Sequence, residues 1–158
     1  MLPQQWVFGG VCRATKECFA VAVPNRTAST LTRLIVEYIE PGSRIFSDCW
    51  RGYKTQDLVA AGYTHFTVNH EKNFVNPSDR EVHTQTVERM WGSMKRRNKR
   101  QRGTARSQLA SYLIEFMWRQ GLQGRDALEA ILQAISVAVR TPTPSDHPYS
   151  LPPPLAEP

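Results

Sequence analysis

Cysteine is scarce in this chain and gives no disulfide framework: Cys12, Cys18 and Cys49 are odd in number and form no CxxC pair. That usage fits reduced thiols in an intracellular protein. With no suitably spaced histidine pair to complete a set with Cys12 and Cys18, no zinc site is indicated. Long apolar runs are also lacking. The longest, Ala127 to Val139, is interrupted by Glu129 and Gln133 and is too short to span a bilayer. The N-terminal residues have no charged-then-apolar signal pattern. The expectation is a soluble intracellular protein with no membrane partner, cytoplasmic, or nuclear if the source is eukaryotic. Acidic residues are absent from two stretches, before Glu17 and between Lys95 and Arg106.

What is present is a concentrated positive charge. The net charge is +6, and Lys95, Arg96, Arg97, Lys99, Arg100, Arg102 and Arg106 supply seven of the twenty basic residues, leaving thirteen against fourteen acids elsewhere. One run therefore makes the whole protein basic, the footprint of a polyanion binder. A nuclear-import signal and a solvated helix end are competing uses of the same run.

At 158 residues the chain has the size of a single domain with a real core. Thr141 to Pro158 holds seven prolines and little to bury. The organisation expected is a core over 1–140 and a disordered, proline-rich tail over 141–158.

Along the core, Gln5 to Arg13 and Glu17 to Pro24 are β-rich runs joined tightly by Ala14-Thr15-Lys16, as in an antiparallel hairpin. Gly9-Gly10 inside the first run suggests a bulge or a close backbone approach. Trp6, Val7 and Phe8 are apolar in succession, as in a sheet covered on two sides. From Thr27 to Ile39 the period is helical, with Leu31, Leu34, Ile35, Tyr38 and Ile39 on one side, and Pro41-Gly42 stops it. Arg44 to Ser47 reads as a short strand ending at Asp48. An acid at that end of a strand is either a ligand-facing residue of an open sheet or the cap of the next turn. Cys49 beside it reads as a small buried side chain.

Thr55 to Ala61 reads as a short helix ended by Gly62, and Tyr63 to Val68 as a further strand. Asn69 to Val82 has no period and reads as a long loop, flanked by His70 and His83, for which structural hydrogen bonds are expected. Two amphipathic helices close the core. The first runs from about Ser107 to Gln120; the second runs from Asp126 to Val139 with Leu128, Ile131, Leu132 and Ile135 inward. Trp50, Trp91 and Trp118 read as core, and Trp6 as core or exposed.

Between the long loop and these two helices lies the helix that begins near His83. Val87, Met90, Trp91 and Met94 recur on one face, and Thr84 can cap the helix by accepting from a free backbone N–H. Glu88 and Lys95 lie two turns apart at the edge of the apolar arc. A carboxylate and a cation so placed, running into the basic stretch, suit a site that holds a metal beside a phosphate. A surface helix with solvated charges and a tryptophan anchor has the same pattern.

The segments Gln5-Trp-Val-Phe-Gly-Gly-Val, Pro41-Gly-Ser-Arg-Ile-Phe-Ser-Asp-Cys-Trp-Arg-Gly-Tyr, Gly62-Tyr-Thr-His-Phe-Thr-Val-Asn-His, Asn73-Phe-Val, His83-Thr-Gln-Thr-Val-Glu-Arg-Met-Trp and Lys95-Arg-Arg-Asn-Lys-Arg, with Tyr112-Leu-Ile-Glu-Phe-Met-Trp-Arg, together resemble the ISXO2-like transposase domain over roughly residues 5–119. These are DDE-type transposases, a group that includes the Merlin elements. The resemblance implies an α/β fold, a ribonuclease-H-like mixed sheet flanked by helices, here lacking its first, central strand. It implies two Mg²⁺ (or Mn²⁺) ions held by three acids for in-line attack on a phosphodiester, with DNA (transposon ends) and a second copy of the chain as partners.

Asp48 matches the second acid and metal ligand, Glu88 the third, and Lys95 the phosphate-contacting base; some relatives place Asn as third ligand, near Gln85 here. The family's first acid precedes the Gln-Trp-Val-Phe-Gly-Gly motif, where this sequence has only Met1 to Gln4. The reading is a truncated transposase-derived core, inactive for want of that carboxylate. The alternative is a non-catalytic nucleic-acid-binding protein using Lys95 to Arg106.

Overall fold

The computed structural model describes residues 5–69, 75–76 and 79–140. The histidine expected to bond at position 70 and the proline-rich segment 141–158 lie outside the described residues. Strand β1 (Trp6–Val11) pairs antiparallel with β2 (Cys18–Val23), Trp6 opposite Val23 and Val11 opposite Cys18. No residue slips in this register, so Gly9-Gly10 marks a close approach and not a bulge. A Cβ at Gly9 would lie 2.5 Å from the Phe19 carbonyl oxygen and 3.0 Å from the Trp91 ring.

The register also fixes which amides face outward. Cys12 N–H bonds the Glu17 carbonyl at 2.8 Å, and antiparallel alternation then aims the N–H groups of Phe8, Gly10 and Cys12 at β2 and those of Val7, Gly9 and Val11 at the opposite edge. On β2 the same alternation turns Ala20 N–H outward, where it meets Met117 Sδ at 3.2 Å. No described strand pairs with the outer edge of β1.

Helix α1 (Ala28–Tyr38) is capped by the Thr27 hydroxyl, which accepts from Thr30 N–H. The parallel pair β3 (Arg44–Asp48) and β4 (Thr64–Val68) follows, bridged by α2 (Thr55–Ala60). Their starts are aligned by two left-handed glycines: Gly42 (φ +84°) donates to the Gly62 (φ +90°) carbonyl at 2.9 Å, and Thr64 N–H bonds Ser43 O at 3.1 Å. Only glycine adopts such a φ without steric cost.

The stretch read as an aperiodic loop contains a short hairpin, β5 (Val75–Asn76) against β6 (Asp79–His83), with Val82 buried. Two residues of pairing are too few to carry an alternating pattern. Helix α3 (Gln85–Arg100), a 3₁₀ turn at Arg106–Gln108, α4 (Leu109–Gly121) and α5 (Ala127–Arg140) complete the described chain.

Two clusters make the core. One face of the hairpin, through Val7, Val11, Cys18 and Ala20, packs on Met90 and Met94 of α3 and Tyr112, Leu113 and Phe116 of α4. Trp91 packs half-buried against this cluster, and the Tyr112 hydroxyl donates to Met94 O at 2.6 Å. On the other face Phe8 meets a cluster of Ile35, Leu58 and Tyr63. Phe19 stacks on Tyr38, with ring centroids 4.8 Å apart. The hairpin is thus covered on both sides, although its own residues are mostly half-buried.

The hairpin and the β3–β4 pair share no backbone ladder. Side chains join them instead. Arg13, just past β1, forks its guanidinium onto the carbonyl oxygens of Glu81 (2.5 Å) and His83 while lying 4.0 Å from the Phe46 ring centre on β3. Arg26 lies between the rings of Trp6 (4.1 Å) and Trp50 (3.8 Å).

Helix α5 departs from expectation. Leu128, Ile131, Leu132 and Ile135 share a face as the period implies, yet are 44–65% exposed. Periodicity reports which residues lie together and is silent on what covers them. Among the described residues no helix is long and apolar enough to cross a membrane.

Gly9→Ala forces β1 and β2 apart or displaces Trp91. It is expected to lower unfolding free energy by about 2 kcal/mol, read as a fall in the urea midpoint, whereas Gly92→Ala on α3, with nothing nearer than 3.4 Å, should be neutral or stabilising.

Candidate functional site

Parallel pairing with β4 carries Asp48 to the C-terminal end of β3, opposite Val68. Its side chain is exposed, and Oδ1 accepts from Trp50 N–H at 3.2 Å, an Asx turn that redirects the chain. The capping role and a cleft-facing position therefore coexist. The turn leaves Cys49 exposed, correcting the expectation of a buried thiol.

Glycine is needed four residues on, since a Cβ at Gly52 would lie 2.6 Å from Trp50 Nε1 and 3.0 Å from Arg26 O. Asp48 lines a cleft of about 200 Å³ with Trp6, Val7, Phe8, Arg26, Trp50 and Tyr53. The cleft thus lies between the hairpin and the end of β3. Burial and, second, the Asp48 charge push the Tyr53 hydroxyl up to about 12. Tyr53 stays a neutral hydrogen-bonding group beside the carboxylate at any physiological pH.

The second carboxylate is on α3. Met90 and Met94 turn that helix's apolar face to the core, which leaves Glu88 and Lys95 exposed at its flank. Glu88 lies in the first turn, where a negative charge opposes the helix dipole favourably. Thr84 holds the N-cap position, but its buried hydroxyl does not accept from the backbone; it donates to Glu88 Oε1 at 2.7 Å. The expected capping residue is right and its bond is different, because at φ −111° and ψ 6° Thr84 lacks the extended backbone that aims an N-cap oxygen at the first-turn amides.

Glu88 is not among the residues lining the Asp48 cleft. Among the described residues no group of three or more His, Cys, Asp or Glu side chains is placed to hold a metal. Carboxylate oxygens are the donors that a hard divalent ion prefers, but two are too few for a pair of ions, so the described donor set does not fit a two-ion centre.

The basic run follows Lys95 along α3 and past its end. There Arg102 (φ 58°) and Gly103 (φ +101°) turn the chain, and Gly103 N–H closes on Asn98 O at 2.9 Å. Lys95, Arg96, Lys99, Arg100, Arg102 and Arg106 are exposed. Arg97 is not equivalent to them. It is half-buried and ion-paired with Glu115 of α4, which also accepts from Arg119 Nε at 2.9 Å. Hydrogen bonds from Arg119 and Arg97 hold the Glu115 carboxyl below the usual carboxylate range. Of the seven cations, Arg97 is thereby committed to fastening α3 to α4.

Sequence reasoning did not single out Arg13, Arg26 or Glu115. The last had a local signal, since Glu115 and Arg119 stand one helical turn apart. The partners of the two arginines come from distant segments and leave no local trace.

Because its carboxyl is depressed in the folded state, Glu115 contributes stability that is present above its ordinary value of 4.5 and lost as pH falls through the lower folded value. Glu115→Gln should lower stability at neutral pH, by a modest amount given its exposure, and flatten the loss seen below about pH 4.5. Denaturant midpoints measured across that range check both, and an unchanged acid limb would contradict the assignment.

Comparison with known proteins bears on the whole of this arrangement. A model of the ISXO2-like transposase domain matches residues 3–121, which takes in β1 through α4 and with them Asp48, Glu88 and the entire basic run. An uncharacterized transposase-like protein of Haemophilus influenzae is 28% identical over 101 residues, covering 64% of this chain and 78% of that protein. The chain belongs to the ISXO2-like transposase domain family.

Proposed function

We propose that this chain is a transposase-derived DNA-processing core that binds DNA through the exposed cations of α3 and the turn after it, and whose carboxylate set is incomplete for phosphodiester chemistry. The observation that carries the reading is the placement of Asp48 at the end of β3, in a cleft bordered by β1. In a ribonuclease-H-like sheet, a strand bearing a further carboxylate belongs between the hairpin and β3. The order hairpin, α1, β3, α2, β4, α3 and the lack of a described strand against β1 both support that arrangement.

Asp48 and Glu88 are the inherited acids in this reading, and Lys95, one heptad past Glu88, is the phosphate contact. Among the described residues no third His, Cys, Asp or Glu joins Asp48 and Glu88 in a group placed to hold a metal. Divalent ions would provide charge neutralisation and water activation in an intact centre; no step through them follows for this chain.

Affinity for labelled duplex DNA should fall steeply as salt rises, because cations that neutralise phosphates release counterions. Lys99→Ala with Arg100→Ala should reduce affinity about tenfold at low salt and lower the magnitude of the log–log salt slope by about 2. Incubation with Mg²⁺ or Mn²⁺ should give no nicking or strand transfer. Binding that ignores both salt and the double substitution would sink the DNA reading, and metal-dependent cleavage abolished by Asp48→Ala would sink the incomplete centre.

A further inference from the structure

A cavity of about 410 Å³ opens where α3 ends, within the range of roughly 300–1,000 Å³ usual for pockets that take an organic ligand. Its position follows from how the chain turns there. Gly103 N–H closes on Asn98 O at 2.9 Å and the Thr104 hydroxyl donates to Asn98 Oδ1 at 2.8 Å, so both ends of the turn are held together, and both line the cavity. Val7 of β1 with Leu109 and Tyr112 of α4 supply its apolar wall.

Bonds already made within the fold decide what each lining residue has left to offer. Tyr112 brings its ring, because its hydroxyl donates to Met94 O at 2.6 Å. Asn98 has its side-chain oxygen engaged by Thr104 and offers the N–H donors of its amide. Gln5 is the reverse: Nε2 donates to Trp6 O at 3.0 Å and to Val23 O at 3.1 Å, which leaves Oε1 to accept. Among the described residues no carboxylate lines the cavity. A hard cation would find no charged oxygen there, and a free phosphate would meet an apolar wall. A flat heteroaromatic ring with donors and acceptors along its edge matches both the wall and the two amides.

The charge around the cavity says how such a ring arrives. Arg106 is part of the lining, and Lys99, Arg100 and Arg102 stand within two residues of Asn98 or Thr104. All four cations are exposed. A polyanion held on them lies beside the cavity. We propose, resting on the reading that the basic run binds DNA, that this cavity receives one unstacked nucleobase of the bound strand, with Tyr112 and Leu109 against its faces and Asn98 and Gln5 at its edge. Taking a base out of the stack is costly, and least so where it is unpaired. Affinity should therefore be greatest for DNA that already offers such a base.

The experiment is fluorescence anisotropy of the full chain with three labelled duplexes of one length: fully paired, with a single bulged adenine, and with an abasic bulge. The bulged adenine should bind about tenfold more tightly than either of the others; the abasic bulge separates the base from the flexibility it brings. Two variants place the effect, each read as the ratio of bulged to paired affinity. Ala105→Leu narrows the cavity from an exposed position with extended backbone (φ −59°, ψ 145°) and adds no ring on which a base can stack. Asn98→Asp keeps an acceptor for Thr104 and removes the N–H donors. Both should bring the ratio close to one. Equal affinity for the adenine and abasic bulges overturns the inference while salt-dependent binding of the paired duplex leaves the DNA reading standing; a preference that survives both variants overturns it too. A chain that shows no salt-dependent binding to any of the three overturns both.

Discussion

Two arginines do in this molecule what a backbone ladder does in a continuous sheet. The β1–β2 hairpin and the parallel β3–β4 pair are separate two-stranded units among the described residues. Arg13 bonds carbonyls of β6 while covering Phe46 of β3, and Arg26 fills the space between Trp6 of β1 and Trp50 beyond β3. Arginine suits this task because its planar guanidinium can fork onto two acceptors and lie flat on rings at the same time. Remove that bridging and Asp48 loses its fixed relation to the hairpin, since the cleft it lines has β1 as its other wall.

The same division organises the functional surface. The hairpin's far face anchors α3 and α4 through Met90, Met94, Tyr112 and Phe116, and that anchoring decides which side of α3 meets solvent. Glu88, Lys95 and most of the basic run are exposed because the methionines and Trp91 are turned to the core. The ion pair between Arg97 and Glu115 then fixes one cation of the run, while Lys95, Arg96, Lys99 and Arg100 around it are exposed. If the run binds DNA as proposed, polyanion affinity and fold stability fall to different members of one charge cluster, which a count of basic residues does not distinguish.

Much of this was legible in the sequence, for physical reasons that can be named. The hairpin follows from two β-rich runs with a tight link, α1 from its apolar period and Thr27 cap, and the ends of α1 and α2 from Gly42 and Gly62, both in the left-handed region. Asp48 was readable because a short apolar strand ends at it. What escaped the sequence is non-local or too short to have a period. The β5–β6 hairpin is too brief to alternate, and Cys49 is exposed because the Asx turn at Asp48 swings it outward. The Thr84 hydroxyl donates to Glu88, and its backbone, with ψ of 6°, does not aim the oxygen at the first-turn amides. For α5, Leu128 to Ile135 showed correctly which residues share a face, and nothing in a period says that the face is left bare.

Among the described residues side chains, and not backbone pairing, join the two β units, and no strand covers the outer edge of β1 beside Asp48. Amide hydrogen exchange of the dilute protein tests this directly. Val7, Gly9 and Val11, whose N–H groups point away from β2, should exchange well ahead of Phe8, Gly10 and Cys12, giving strict alternation along one strand. Uniform protection along β1 would mean that another strand already occupies the edge, and the arrangement described around Asp48 would be wrong.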